Sequence, residues 1–209
     1  MNLPIVSVTD FASEYPTVAN YLPADWRGTA LDILNMTNCP ASVRLCVVMN
    51  LRFMSAKVLR LFATACARNA LRKAQFTDPL SMTACDVAEK FANNEATDAE
   101  LATARREWRS ADNLATPAER AAKAARATTC YWAADAAWHA SHWTSESFDI
   151  AASGLSRFDR EWQITILKAL LSTKTAATAP HQRKTAEAEF FFGKSSKGHD
   201  KEWWDKYAD

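Results

Sequence analysis

A chain of 209 residues with 48% hydrophobic content is long enough to bury one sizeable core, and no low-complexity stretch divides its middle. Its formal net charge of +1 argues against a globally basic nucleic-acid binder, although a neutral sum can conceal local asymmetry. No apolar run approaches the about 20 residues of a membrane span, and Met1 to Asp10 has neither the basic nor the long apolar region of a signal peptide, so a soluble, cytoplasmic protein is expected.

Residues 1–22 form a poorly defined N-terminal segment with an extended run from Leu3 to Val8 and a helical turn after Asp10. A helix is predicted over Pro23 to Met36. A second starts at Pro40, since proline is tolerated at a first helical position where its missing N–H is not needed, and Val43, Val47, Leu51 and Met54 recur at helical spacing after it.

Ser55 caps the next predicted helix, whose apolar positions are Val58, Phe62, Ala65, Cys66 and Ala70. Lys57, Arg60, Arg68 and Arg72 lie on another arc, with Arg60, Thr64, Arg68 and Arg72 at successive i+4 positions, which predicts an exposed basic stripe. Between Asp32 and Asp78 there is no acidic residue, and Arg44, Arg52 and Lys73 fall there too. Thr77-Asp78-Pro79 ends this helix and opens another, with Leu80, Ala84, Val87, Ala88 and Phe91 on one face.

Thr97 and Glu100 have the spacing of a capping box, followed by a helix with Leu101, Ala104, Trp108 and Ala111 inward and Arg105, Arg106 and Arg109 outward. Thr116-Pro117 with Glu119 repeats that signature and opens a long predicted helix running to about Trp143. Thirteen alanines between Ala111 and Ala140 mark it as a central helix that bulkier neighbours can approach closely. Trp162, Ile166, Ala169 and Leu170 define a last helix ending near Ser172. Thr173 to Pro180 then reads as a linker, and the remainder as a mixed-charge tail holding Phe190, Phe191, Phe192, Trp203, Trp204 and Tyr207. With no strand pattern after residue 10, the expected fold is all-α: one alanine-rich bundle of about six to eight helices over residues 1–172, with a linker and aromatic tail over 173–209.

Recognisable chemistry is sparse. Cys39, Cys46, Cys66, Cys85 and Cys130 are odd in number and lie mostly among apolar residues, as reduced core cysteines do. Asp135, His139 and His142 share a helix face, an arrangement that a metal enzyme or hydrolase could use. Their interleaving with Trp132, Trp138 and Trp143, without an evident fourth ligand, favours helix-surface hydrogen bonding. Gly193-Lys194-Ser195 matches the end of a phosphate-binding loop, yet Ala188 stands where its first glycine belongs. No catalytic residue, metal or cofactor is therefore expected.

The runs Val58 to Arg68 (VLRLFATACAR), Asp86 to Ala92 (DVAEKFA) and Ala96 to Arg105 (ATDAELATAR) resemble the alanine-rich helical domains of an immunity-protein family of bacteria and phages with planctomycete relatives. The resemblance covers about residues 55–143, with an echo at Arg160 to Leu171, and does not reach residues 1–54 or the tail. It implies a non-catalytic inhibitor that binds one protein target. That target is a toxin or, for a phage counter-defence protein of the anti-CRISPR kind, a host enzyme or defence complex. Lys57, Arg60, Arg68 and Arg72 would suit an acidic enzyme surface through electrostatic steering. Trp203 and Trp204 either dock on the body or anchor the partner. The alternative is a helical accessory subunit that binds nucleic acid through the basic region from Arg44 to Lys73.

Overall fold

The computed structural model describes residues 3–107, 116–149 and 155–172. Its N-terminal part begins with β1 (Val6–Ser7), which pairs antiparallel with β2 (Arg27–Gly28) in the register Val6 to Gly28 and Ser7 to Arg27. A 3-10 turn (Val8–Asp10) and α1 (Pro16–Ala19) lie between them. The helix expected from Pro23 therefore starts only at α2 (Ala30–Leu34), and a strand does occur after residue 10. Gly28 is a physical reason for the extended start: a β-carbon there would lie 2.5 Å from the Trp26 ring, so the strand can pass under that ring only without a side chain. The Asp32 carboxylate then accepts from the Thr29 N–H at 2.6 Å and opens the helix. Phe11 is buried against Phe53 and Trp26, with ring centroids 5.4 and 6.0 Å apart, so this segment joins the main core.

Helix α3 (Ala41–Val48) starts after Pro40 as expected but stops before Leu51. Asn50 ends it, donating from Nδ2 to the Val47 carbonyl at 2.6 Å and accepting the Arg52 N–H at 2.9 Å, a local competition with the helix ladder. The next helices begin where their caps predict. In α4 (Ala56–Lys73) the Ser55 hydroxyl accepts from the Val58 N–H, and in α5 (Pro79–Ala92) the Asp78 carboxylate accepts from the Ser81 N–H at 2.8 Å. The buried face of α5 is Ser81, Ala84, Cys85, Ala88 and Ala92; these small side chains leave Leu80, expected inside, 45% exposed. Helix α6 (Asp98–Glu107) opens with the Thr97–Glu100 box and buries Leu101 and Ala104 while Arg105 and Arg106 face out. Trp108, Arg109 and Ala111 lie outside the described residues, as do the linker and the tail with Trp203 and Trp204.

The long alanine-rich helix is two helices, α7 (Pro117–Ala127) and α8 (Ala133–Asp149). The chain reverses between them because Thr128 and Thr129 donate back to the Ala125 and Arg126 carbonyls at 2.7 and 2.8 Å, while the Arg60 guanidinium enters the reversal from α4. One guanidinium nitrogen donates to the Thr128 and Cys130 carbonyls at 2.6 and 2.9 Å, and another to the Tyr131 carbonyl at 3.0 Å. Carbonyls at a helix end have no partner within the helix, and buried ones need an outside donor. Arg60, 2% exposed, is that donor.

With α7 and α8 folded back on each other, α4 becomes the helix around which the others pack. It lies against α5, α7, α8 and α9 (Leu155–Ser172). Ala121, Ala124 and Ala125 of α7 meet Ala67, Ala70 and Leu71 of α4, and Ala133, Ala136, Ala137 and Ala140 of α8 face the larger cluster around Phe62 and Leu167. Among the described residues there are nine α-helices and one two-stranded pairing, an all-α fold, and no helix is long and apolar enough to cross a membrane.

Loss of the Arg60 donors should be costly. Arg60→Met, which fills the space but leaves the three carbonyls unpaired, is expected to lower stability by about 3 kcal/mol in denaturant unfolding, and Arg60→Lys by less. A change under about 0.5 kcal/mol for Arg60→Met would mean that the reversal holds without its guanidinium.

Candidate functional site

The arc of α4 is not the exposed stripe its spacing predicts. Arg60 is buried under the α7–α8 reversal with its guanidinium 5.1 Å from the centre of the Phe91 ring, and Thr64 is buried and donates to the Arg60 carbonyl at 3.0 Å. Burial pulls the Arg60 guanidinium down to about 10, against the raising effect of Cys130 and Asp98, so it stays charged at neutral pH. Arg68 is at the surface but bridges Asp86 at 2.8 Å and Glu89 at 2.6 Å on α5. Arg72 is exposed and donates to Asn69 at 3.0 Å, and Lys57 is partly exposed. The other cations of the region are also engaged: Arg44 with the Leu34 carbonyl and Glu161, Arg52 with Glu14, and Lys73 3.9 Å from Asp159. The arc therefore offers a partner Lys57 and Arg72 at two ends of a helix. Neither the expected exposure of Arg60 nor a continuous cationic run from Arg44 to Lys73 exists.

A different surface gathers cations and rings. On α8 the Trp138 and His142 rings stack at 5.4 Å with planes 12° apart, and the His139 ring meets Trp138 edge-on at 4.8 Å. Trp143 lies edge-on to His142 at 4.9 Å, and the Lys123 ammonium of α7 stands 4.2 Å from its ring centre. Arg120 of α7 donates to the Glu146 carbonyl and carboxylate at 2.9 and 3.1 Å. Burial pulls His142 down to about 4, and His139, Arg160, Arg120 and Lys123 add to the shift, so the ring is neutral at pH 7. Asp135 does share the helix with these histidines, but among the described residues no three His, Cys, Asp or Glu side chains are grouped to hold a metal.

Beside these rings, with Ser141 and Ser145 three residues after Trp138 and His142, α8 carries a buried polar junction that spacing does not reveal. Gln163 of α9 accepts from the Ser141 hydroxyl at 2.5 Å and donates to Ser145 at 3.1 Å and to the Asp159 carboxylate at 2.6 Å, which also accepts from Ser145 at 3.1 Å. Asp159 Oδ1 has no hydrogen-bond partner, and burial pushes the carboxyl above its ordinary range despite Gln163, Ser145 and Lys73. The five cysteines are all free thiols, as expected. Burial pushes each upward, Cys46 and Cys85 to about 12, the direction opposite to an activated nucleophile.

The polar junction yields a pH prediction. Since the folded Asp159 carboxyl binds its proton more tightly than the unfolded one, stability is highest below the unfolded value of about 4 and falls as pH rises through the raised folded value. His142 has the opposite sign, losing stability as pH falls from about 6.5 to about 4, so the informative quantity is the difference from the parent chain. Asp159→Asn should fold and remove the decline with rising pH; melting curves that keep the parent slope would assign that slope to other groups. The chain matches no protein-family model, no curated protein and no solved structure.

Proposed function

We propose that this chain is a non-catalytic inhibitor that binds one protein target and neutralises it, either as an immunity protein against a toxin or as an anti-CRISPR-like counter-defence protein acting on a host enzyme or defence complex. The observation that supports this reading most is the state of the resembling region, about residues 55–143. Helices α4 to α7 start at side-chain caps, α5, α7 and α8 pack against α4, and buried Arg60 and Thr128 bond carbonyls at a helix end and across a helix crossing. Such a body presents surface residues from fixed backbone positions, and a preorganised surface loses little conformational freedom on association. The thiols, all shifted away from the thiolate, add nothing to a catalytic reading. The nucleic-acid alternative needs a continuous run of cations from Arg44 to Lys73; Arg44 and Arg60 are buried, and the surface residues Arg52 and Arg68 are paired with carboxylates, which interrupts that run.

Affinity capture with the intact chain should recover one protein at fixed stoichiometry, and the activity of that protein should fall to baseline at one equivalent. Recovery of nucleic acid instead, with affinity falling steeply as salt rises, would replace inhibition by the alternative. Turnover of a substrate by the chain alone would end both.

A further inference from the structure

Alanine-rich packing leaves α8 with an outward face set between α7 and α9. Ala133, Ala136, Ala137 and Ala140 are buried, while Trp138, His139, His142 and Trp143 are partly exposed. Arg120 and Lys123 approach this face from α7 and Arg160 from α9. Of the acidic residues of these helices, Asp135 is exposed on α8 seven residues before His142, and three others are engaged. Glu119 closes the α7 cap with Thr116, Glu161 bridges Arg44 at 2.6 Å, and Glu146 bridges Arg120 at 3.1 Å. Lys123 and Arg160 therefore flank the rings around the neutral His142, at the part of the face away from Asp135.

We propose that this face, centred on His142 and flanked by Lys123 and Arg160, is the contact surface for an acidic protein partner, whose carboxylates pair with those cations. This rests on the inhibitor reading and names the chemistry of its target. The rings argue for carboxylates over bases. Trp138 packs against the larger core cluster and stacks on His142, and Trp143 packs against the smaller cluster beneath the Lys123 ammonium. Single-stranded nucleic acid is held by aromatic faces that accept bases, and these faces are already covered. Burial first, and then repulsion from His139, Arg160, Arg120 and Lys123, disfavours the His142 proton; a carboxylate arriving beside the ring opposes the repulsion, so binding should take up a proton and strengthen as pH falls.

The probe is a short poly-L-glutamate peptide, titrated into the full chain by calorimetry at two salt concentrations, with oligothymidylate as the comparison. The peptide should bind more tightly at low salt and at pH 5 than at pH 7, and should raise the His142 titration midpoint read by NMR. Lys123→Gln with Arg160→Gln should weaken binding by about tenfold or more, and Lys57→Gln with Arg72→Gln by less than about twofold. Lys123→Arg with Arg160→Lys, which keeps the charges and the cation over Trp143, should bind like the parent. If the double Gln chain does not fold, Arg160→Gln alone and the His142 titration carry the test. Unchanged binding by a folded double Gln chain, an unmoved His142 midpoint, or tighter binding of oligothymidylate through Lys123 and Arg160 overturns the proposal. A captured target held equally by the parent and double Gln chains removes this face and leaves the inhibitor reading. Peptide binding through the face with no protein target does the reverse.

Discussion

The bundle depends on one buried charge. Three backbone carbonyls at the end of α7 and the entry to α8 converge beneath α4, and the buried Arg60 guanidinium supplies donors to all three. A planar fork with several N–H groups can span carbonyls from different residues, whereas an ammonium acts as a single point. The same side chain lies over Phe91 of α5, and Thr128 at the reversal reaches the Ala84 carbonyl at 3.3 Å, so α4, α5, α7 and α8 are tied at one end of the bundle. A buried charge is tolerable only when its donors are used, and here the charge and the orphan carbonyls each remove the other's desolvation cost.

Helix starts were legible because capping is local chemistry: Ser55, Asp78, Thr97 and Thr116 each act on an N–H within three residues. The inside of a helix was harder to read. One turn either side of Arg60 on its arc stand Ala56, Ala63 and Thr64, whose size gives no strong preference for either side, so an i+4 series of arginines has the same appearance on a solvent face and in a helix interface. The break between α7 and α8 did leave a signal. Thr128 to Trp132 is an uninterrupted run of weak helix formers amid alanines, and five such residues together outweigh the periodicity around them. Gly28 similarly interrupts the expected helix over Pro23 to Met36, but the Trp26 ring that makes glycine necessary there is a tertiary fact.

Surface charge is hidden from the sequence for a related reason. The acid-free stretch between Asp32 and Asp78 looks basic along the chain, yet its arginines find Glu14, Asp86, Glu89 and Glu161, none of which belongs to it. Long-range pairing cancels the local excess. On the outer face of α8 the logic inverts: Arg120, Lys123 and Arg160 come from stretches that hold acids too, but Glu119 and Glu161 are turned to a helix cap and to Arg44. Surface potential follows from which carboxylates are already engaged, and sequence order alone does not contain that allocation.

Alanine connects the buried charge to this outer face. Small side chains let α4, α7 and α8 approach closely, which puts the Arg60 guanidinium within reach of the reversal and leaves no room for large residues on the inner sides of α7 and α8. The bulky rings of α8 are consequently displaced outward, where α7 and α9 partly cover them and stacking fixes their orientation. Rings held in this way keep His142 neutral and leave Lys123 little freedom above Trp143, so a partner meeting the face orders few side chains as it binds. Close alanine packing thus accounts at once for the rigidity of the core and for the aromatic, cationic character of the surface above it.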